Sequence, residues 1–193
     1  MTFNNNEEYI LPFSPNIHNY DEIKYIAFKN NYSLKILYIN FRSLNEKTED
    51  LIYIINEFKN QNISIDVIAL TEHWMDTFKA SKFTLTGYNT IFSTRPSKRG
   101  GGSAIFIKNN INHNIIKQYN DDMISITTIC INNNTEKINI CCIYRPNRNI
   151  DAVNNFIKLI DDHLPQINNN NNYVIGDFNF DLRKKSNITM TIT

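Results

Sequence analysis

The sequence contains few cysteines and almost no net charge, and each of these shortages argues against a class of protein. Its 193 residues include three cysteines, five glycines and five prolines. The cysteines, Cys130, Cys141 and Cys142, are odd in number and lack metal-ligand spacing, so we predict reduced core residues. With 20 basic and 19 acidic residues the formal charge is +1, so no overall field selects nucleic acid or an anionic membrane. Any such partner must be recognised by local features.

Long hydrophobic runs are also missing. No stretch of 18 apolar residues occurs, and the first twenty residues lack the basic and then apolar segments of a secretory signal. We therefore expect an intracellular protein that is not secreted and has no membrane partner. The length is sufficient for one domain with a substantial core.

The first half of the chain has a strand, helix, strand pattern after an irregular start. Residues 1–33 show no sustained periodicity, and we interpret them as a poorly ordered N-terminal arm. The stretches "LKILYIN" and "IDVIALTE" are typical of buried strands. Ser43 and Glu46 have the spacing of a capping box at the start of the helix between them. One face of that helix carries Leu44, Leu51, Ile54, Ile55 and Phe58. A single helical crossover predicts that the two strands are parallel.

The second half predicts further strands and one more helix. "GYNTIFS" and "GSAIFIKNN" are predicted strands joined by a basic, glycine-rich loop, and "MISITTICINNNTEKINICCIYRP" is predicted to form a hairpin that turns at 132–135. Residues 151–164 have helical periodicity, and "YVIGDF" is the last predicted strand. Parallel and antiparallel segments together predict an α/β fold, a layered α/β sandwich of mixed β-sheets flanked by helices.

Polar side chains follow three of the predicted strands at the point where each ends. Asn40 ends the first, Glu72 the second, and Asp177 with Asn179 the last. In layered α/β proteins ligands gather beyond the carboxyl ends of strands, so these side chains are expected to converge. Two carboxylates with amide oxygens suit Mg²⁺ or Mn²⁺ rather than Zn²⁺, and such an ion is typical of phosphoryl transfer. No small organic cofactor is implied, and a carboxylate at a strand end, taken alone, is more often a solvated strand end or a helix N-cap.

Five segments of the chain resemble a known family. They are "LKILYINFRSLNEKTEDLIYIINEF", "DVIALTEHWM", "GYNTIFSTRPSKRGGGSAIFIKNN", "INICCIYRPNRN" and "YVIGDFNFDL", in this order. Together they resemble the endonuclease/exonuclease/phosphatase family, and within it the apurinic-type endonuclease domain of non-LTR retrotransposons. The resemblance covers residues 34–182, which leaves 183–193 as a tail. It implies a metal-dependent phosphodiester hydrolase that acts on DNA and is nuclear if it is a retroelement product.

The resemblance also implies roles for individual residues. Glu72 matches the family's metal-binding glutamate, and Asn40 matches an asparagine that supports the metal and the phosphate. Asp177 matches an aspartate that orients or deprotonates the attacking water, and Asn179 matches an asparagine that hydrogen-bonds phosphoryl oxygens. Tyr144 matches a tyrosine whose hydroxyl reaches the scissile phosphate, with a core tyrosine that closes a strand as the alternative.

Basic residues near these segments are candidates for substrate binding. Arg95, Lys98 and Arg99 lie in the glycine-rich loop, where each could contact a DNA phosphate. A solvated hairpin with a basic tip is an equal alternative for this loop. Arg145 stands in the "YRP" of the retroelement branch and is interpreted as a residue that rigidifies the loop beside the site.

The sequence departs from the family pattern after "GDFN". The further strands, the additional aspartate and the Ser-Asp-His motif of the family do not follow in these 193 residues. His73, His113 and His163 are expected to be exposed residues and not substitutes for that histidine. We therefore expect a fold that is incomplete at the C-terminus, weak or no activity of this chain alone, and self-association through an uncovered sheet. The alternatives are a non-enzymatic remnant that binds nucleic acid and a phosphatase relative that acts on small phosphorylated substrates.

Overall fold

Two β-sheets and two helices make up the part of the chain that the computed structural model describes. That part comprises residues 8–9, 23–27, 34–95, 100–132, 137–146 and 171–179. The helices are α1, Thr48–Asn60, and α2, Thr77–Lys82. The strands are β1 Glu8–Tyr9, β2 Ile23–Ala27, β3 Lys35–Asn40, β4 Val67–Thr71, β5 Tyr88–Ser93, β6 Ser103–Lys108, β7 His113–Asn120, β8 Ser125–Asn132, β9 Lys137–Tyr144 and β10 Asn171–Asp177. Many of these strands are rich in Ile, which favours extended backbone.

Each sheet contains one parallel pair among antiparallel neighbours. The first sheet has the order β1-β2-β3-β4-β6-β5, with β3 parallel to β4 and the remaining neighbours antiparallel. The second has the order β10-β9-β8-β7, with β10 parallel to β9 and the remaining neighbours antiparallel. As a result β3 ends beside β4, and β9 ends beside β10.

Successive side chains of the central strands point to opposite faces of the first sheet, so these strands contribute to two hydrophobic clusters. On β3, Leu37 and Ile39 belong to the cluster that includes the buried side of α1, whereas Ile36 and Tyr38 belong to the cluster shared with the second sheet. All five residues of β4 are buried. A parallel pair that is covered by a helix on one face and a sheet on the other has this pattern of continuous burial.

The predicted fold class is confirmed, since two mixed sheets with few helices form an α/β sandwich. All seven strands that the sequence predicts are present, as β3, β4, β5, β6, β8, β9 and β10. The helix-linked strands β3 and β4 are parallel, and β8 and β9 form the predicted antiparallel hairpin. The three cysteines are buried free thiols, as predicted.

The capping-box prediction at the start of α1 is wrong. The helix begins at Thr48, and no side chain caps it at Lys47. Ser43 donates its backbone N–H to the carbonyl oxygen of Glu72 at 2.9 Å, and Leu44 donates to His73 at 3.0 Å. Because these bonds continue the pairing beyond β3 and β4, and Glu46 and Lys47 then donate to the carbonyls of Ser43 and Leu44 in a turn, the helix begins only after the residues that would have formed the capping box.

Four elements are not indicated by the sequence pattern. Strands β1 and β2 lie in the segment interpreted as an arm, and β2 pairs with β3, so this segment contributes to the first sheet. Strand β7 is at least partly exposed throughout and has a register shift between Ile115 and Lys117, and α2 has no buried residue. The predicted helix at 151–164 and the predicted tail at 183–193 lie outside the described residues. Neither α1 nor α2 is long and apolar enough to cross a membrane.

Candidate active site

The carboxyl ends of four strands bring together residues from both sheets. Asn40 ends β3 and Glu72 follows β4, whereas Tyr144 ends β9 and Asp177 ends β10. The Asn40 amide nitrogen Nδ2 donates to Asp177 Oδ2 at 2.9 Å, and Tyr144 is hydrogen-bonded to Glu72. Both contacts cross from one sheet to the other. The four residues that the sequence placed at strand ends or in "IYRP" therefore lie in one cluster.

Asn40 carries a buried oxygen that no group among the described residues satisfies. Its Nδ2 is used by Asp177, but its amide oxygen Oδ1 is buried and has no hydrogen-bond partner in the part of the chain that the structure describes. An unsatisfied buried carbonyl oxygen costs about 1–3 kcal/mol in folded proteins, and such groups are few. A site that accepts a cation would satisfy this oxygen when it is filled.

Glu72 is held by its own loop. It adopts a positive φ of 58°, and its backbone N–H donates to the carbonyl oxygen of Gly102 at 3.0 Å. Its carboxylate oxygen Oε2 accepts a hydrogen bond from the indole Nε1 of Trp74 and one from the backbone N–H of Gly101 at 3.3 Å. The carboxylate is consequently fixed at one oxygen before any ligand binds.

Tyr144 is a buried neutral donor. Its side chain is almost fully buried, and burial, together with the hydrogen bond to Glu72, raises the pKa of its hydroxyl well above the usual value. The nearby Arg95 guanidinium acts in the opposite direction on this pKa but does not outweigh burial. The hydroxyl therefore keeps its proton at neutral pH and can donate it in a hydrogen bond.

Asp177 and Asn179 form a tight turn after β10. The backbone N–H of Asn179 donates to Asp177 Oδ1 at 3.1 Å, while the other oxygen of Asp177 accepts from Asn40. Asn179 has a positive φ of 50°, and its Nδ2 donates to the carbonyl oxygen of Arg145 at 2.6 Å. One amide hydrogen of Asn179 is thus used by the main chain, which leaves the second for any contact with a phosphate.

Arg145 serves the main chain of the same turn. Its guanidinium donates to the carbonyl oxygens of Phe178 at 3.2 Å and Asn179 at 3.3 Å, and the residue is 2% exposed. This placement favours the loop-rigidifying role over the alternative of direct substrate binding.

The basic loop is described only in part. Arg95 has a largely buried side chain whose guanidinium lies 3.9 Å from the Asp122 carboxylate and donates to the Asp122 carbonyl at 3.4 Å. It lies near Tyr144, at the edge of the cluster. Lys98 and Arg99 lie outside the described residues.

The glycines of this loop allow the backbone to pack against the site. Gly100, Gly101 and Gly102 all have a positive φ, between 80° and 96°. A Cβ on Gly101 would lie 2.7 Å from the Tyr144 ring, and a Cβ on Gly102 would lie 2.2 Å from the His73 ring. Only glycine fits such positions without displacing these side chains.

The expectation that His73 is exposed is wrong. The ring is fully buried; its Nδ1 accepts from the Met75 backbone N–H at 3.0 Å, and its Nε2 lies 3.1 Å from the carbonyl oxygen of Ser93. Burial lowers the pKa of the imidazole from 6.5 to about 4. His73 is therefore a neutral structural residue beneath Glu72. His113 is partly buried, and His163 lies outside the described residues.

The residues present fit an oxygen-coordinated divalent cation. Within the described residues, no three His, Cys, Asp or Glu side chains cluster as a metal centre. The candidate set instead combines the carboxylates of Glu72 and Asp177 with the unsatisfied Oδ1 of Asn40. Mg²⁺ is commonly bound through one or two carboxylates, with water and substrate phosphate as its other ligands, so this donor set is sufficient. A Zn²⁺ site of paired His or Cys ligands does not match it.

Sequence reasoning missed two donors to Glu72. Trp74 stands in the quoted "TEHW", but nothing in its spacing indicates a hydrogen bond to the carboxylate two residues earlier. That contact depends on the positive φ of both Glu72 and Trp74. The Gly101 N–H comes from a loop 29 positions away, and no local pattern could have indicated it.

The sandwich fold, with carboxylates at the ends of strands from both sheets, defines the class of endonuclease- and phosphatase-like α/β proteins. The sequence profile described as the Endonuclease/Exonuclease/phosphatase family matches residues 37–190, and the chain belongs to this family. Enzymes of the family generally depend on a divalent metal. No curated protein matches the sequence.

Solved structures with the same fold have diverse functions. The endonuclease domain of TRAS1, a telomere-specific non-LTR retrotransposon, is 17% identical with a TM-score of 0.50, over 77% of this chain and 62% of that one. TDP2 of D. rerio complexed with single strand DNA product is 12% identical with a TM-score of 0.51, over 77% of this chain and 61% of that one. The mannosyl-6-phosphatase Bt3783 of Bacteroides thetaiotaomicron VPI-5482 is 16% identical with a TM-score of 0.52, over 76% of this chain and 66% of that one. This chain thus spans less than two-thirds of each.

Proposed function

We propose that the chain is a Mg²⁺-dependent phosphodiester hydrolase that cleaves DNA, of the kind that non-LTR retrotransposons encode, with Mn²⁺ able to replace Mg²⁺. The single observation that carries this proposal is the buried, unsatisfied Oδ1 of Asn40, which belongs to the same hydrogen-bonded cluster as the carboxylates of Glu72 and Asp177. Membership of a family of metal-dependent hydrolases supports it.

Glu72 and Asn40 would hold the metal. A bound Mg²⁺ would polarise the phosphoryl group and neutralise charge that develops on its oxygens. Glu72 is suited to this role because Trp74 and Gly101 already fix one of its oxygens. Asn40 is suited because its Nδ2 is tied to Asp177, which leaves Oδ1 as the atom available to a cation.

Asp177 and Tyr144 would act on the reacting phosphodiester. Asp177 would accept a proton from the attacking water or orient it, and the hydrogen bonds from Asn40 and from the Asn179 N–H hold its carboxylate in place. Tyr144, whose hydroxyl stays protonated, would turn its one O–H donor from Glu72 to a phosphoryl oxygen when the substrate binds. Asn179 would donate to phosphoryl oxygens with its remaining amide hydrogen.

DNA is the proposed substrate, and a small phosphomonoester is the second candidate. The first is favoured by the resemblance of "FRSL", "TEHW" and "YRP" to the retroelement branch, by the shared fold of the TRAS1 endonuclease domain and by the DNA product bound to TDP2. The second rests on the mannosyl-6-phosphatase, because the same strand-end carboxylates could serve a phosphomonoester. If the chain is a retroelement product, its site of action is the nucleus.

The test is metal-dependent nicking of supercoiled plasmid by the purified chain, run beside hydrolysis of mannose 6-phosphate. We expect at most slow nicking by this chain alone, dependent on Mg²⁺ and absent in EDTA. Asp177→Asn should reduce the nicking rate by about 10²- to 10⁴-fold, as for loss of a general base. Glu72→Gln should reduce it through loss of metal binding. Even slow cleavage is informative, because the comparison is among variants of one chain.

Glu49→Gln is the matched control, since Glu49 is an exposed carboxylate in the first turn of α1. Phosphate release from the sugar without nicking would favour the phosphatase. If the folded wild-type chain cleaves neither substrate and binds DNA equally well in EDTA, the hydrolase proposal fails and the non-enzymatic alternative is preferred.

A further inference from the structure

The one tryptophan of the chain is hydrogen-bonded to the candidate metal ligand. The sequence contains a single Trp, and its indole Nε1 donates to Oε2 of Glu72. The indole is 38% exposed, so packing in the core does not account for its position. We therefore look to the hydrogen bond with the Glu72 carboxylate for the role of Trp74.

The backbone around Trp74 is shaped to make this contact. Both Glu72 and Trp74 have a positive φ, 58° and 56°, a backbone conformation that is unusual for residues other than glycine. The Trp74 backbone N–H donates to the Gly101 carbonyl at 3.1 Å, so the segment is anchored to the glycine loop. Such conformations persist only where the surrounding structure enforces them.

Gly100 lies against the nitrogen edge of the indole. It has a φ of 96°, and a Cβ at this position would lie 3.5 Å from Trp74 Nε1. The glycine backbone thus passes close to the ring nitrogen. Gly101, the next residue, donates its N–H to the same Oε2 that the indole uses. Two neutral N–H donors from different segments therefore meet at one oxygen of Glu72.

We propose that Trp74 is a positioning residue that orients the Glu72 carboxylate for a divalent cation. With Oε2 held by Trp74 and Gly101, the remaining acceptor positions of the carboxylate are left to Tyr144 and the cation. Both fixing donors are uncharged, so they orient the carboxylate without neutralising the charge that attracts the metal. This inference rests on the proposed function, because it assumes that Glu72 is a metal ligand.

Two measurements of Mn²⁺ and Mg²⁺ binding test the inference without using activity. Electron paramagnetic resonance of free Mn²⁺ gives the affinity of the wild-type chain, of Trp74→Phe and of Glu72→Gln. Trp74→Phe keeps an aromatic ring but removes the N–H donor. We expect it to weaken Mn²⁺ binding by about tenfold, the effect of losing a residue that orients a ligand. Phe78→Leu is the matched control, since Phe78 is a more exposed aromatic residue on α2.

The second measurement uses the wild-type chain and so does not depend on how the variant folds. Because Trp74 is the single tryptophan, its emission reports the environment of the indole. We expect Mg²⁺, which is diamagnetic, to shift this emission in the wild-type chain and to leave it unchanged in Glu72→Gln. The Mg²⁺ dissociation constant from this shift should agree with the one calculated from competition of Mg²⁺ with bound Mn²⁺.

The outcomes separate this inference from the proposed function. If the wild-type chain binds Mn²⁺ and Glu72→Gln does not, but Trp74→Phe binds as tightly as wild type or Mg²⁺ leaves the emission unchanged, the positioning role is wrong and the metal site stands. If the wild-type chain binds no Mn²⁺, the metal site and this inference are both overturned.

Discussion

At the scale of single residues, Arg145 shows how burial changes the role that a residue type suggests. A basic residue beside a phosphate-handling site is a natural candidate to bind substrate, but its guanidinium donates to the carbonyls of Phe178 and Asn179. Two hydrogen bonds from a planar guanidinium hold the turn that contains Asp177, and a lysine ammonium cannot reproduce that geometry.

We predict that Arg145→Lys destabilises the folded chain by about 1.5–3 kcal/mol, the range for hydrogen bonds to a charged group. Urea unfolding followed by circular dichroism measures the change as a lower midpoint with an unaltered slope. Arg42→Lys, at an exposed position, is the control and should change stability by less than about 0.5 kcal/mol. A direct substrate-binding role would give the opposite pattern for Arg145→Lys, with stability retained and only DNA affinity reduced.

At the scale of elements, β10 is held against β9 at a distance that only glycine permits. Gly176 is paired with Ile143, and a Cβ on Gly176 would lie 1.8 Å from the carbonyl oxygen of Ile143. The obstacle is backbone, so no side-chain rotation relieves it. Asp177 follows directly, and the position of the candidate base therefore depends on how closely these two strands pack.

We predict that Gly176→Ala destabilises the chain by about 3 kcal/mol or more, because the strands must separate to admit the methyl group. Gly87→Ala is the matched control: Gly87 also has a positive φ, 88°, but its Cβ would meet nothing within 4 Å. It should cost only about 1–2 kcal/mol of backbone strain. Equal losses in the two variants, measured by urea unfolding, would contradict the predicted clash.

A second element, α1, shows why a local rule failed. Ser43 and Glu46 have the spacing of a capping box, but Ser43 has a φ of 81° and its N–H is bonded to the Glu72 carbonyl. The pairing of the segment that follows β3 with the segment that follows β4 therefore competes with helix formation and delays the helix to Thr48. The Thr48 hydroxyl then bonds to the Leu44 carbonyl at 2.9 Å.

At the scale of the whole molecule, a buried group of hydroxyls joins the two sheets. Ser93 and Ser103 come from the first sheet, and Ser125 and Thr127 from the second, and all four are buried. Thr127 Oγ1 lies 2.8 Å from Ser93 Oγ and 2.9 Å from Ser103 Oγ. Ser125 Oγ lies 3.0 Å from Ser103 Oγ. The sheets are thus held in register by polar contacts as well as by the apolar core.

We predict that Thr127→Val, which keeps the shape of the side chain, destabilises the chain by about 1–3 kcal/mol because it leaves buried hydroxyls short of a partner. Thr128→Val is the matched control on the same strand, since its equally buried hydroxyl contacts the Cys141 sulfur at 3.2 Å. Loss of that weaker hydrogen bond should cost less than about 1 kcal/mol. Thermal and urea unfolding measure the stability of both variants. If Thr128→Val loses as much stability as Thr127→Val, the hydrogen bonds among the four buried hydroxyls do not stabilise the chain more than a single hydrogen bond to sulfur does.

Much of the fold could be predicted because β3 to β6 and β8 to β10 are short apolar runs bounded by polar residues. Strand β7 could not, because most of its residues are exposed and its register shift breaks the alternation that marks a strand. Strand β2 could not either, since it is only five residues long and lies in a segment without sustained periodicity, where only its pairing with β3 marks it as a strand.

The sequence by itself determined seven of the strands, the family and the polar residues at the strand ends, because these depend on local periodicity and on short ordered segments. Only the tertiary structure decided how those residues are connected. Asn40 and Asp177 are 137 positions apart, and their contact exists because strands of two different sheets end at the same place. The same packing buries His73 and Arg145, brings Gly101 to Glu72 and leaves Asn40 Oδ1 without a partner among the residues that the structure describes. Burial and hydrogen-bond satisfaction are properties of the assembled fold, and no stretch of sequence contains them alone.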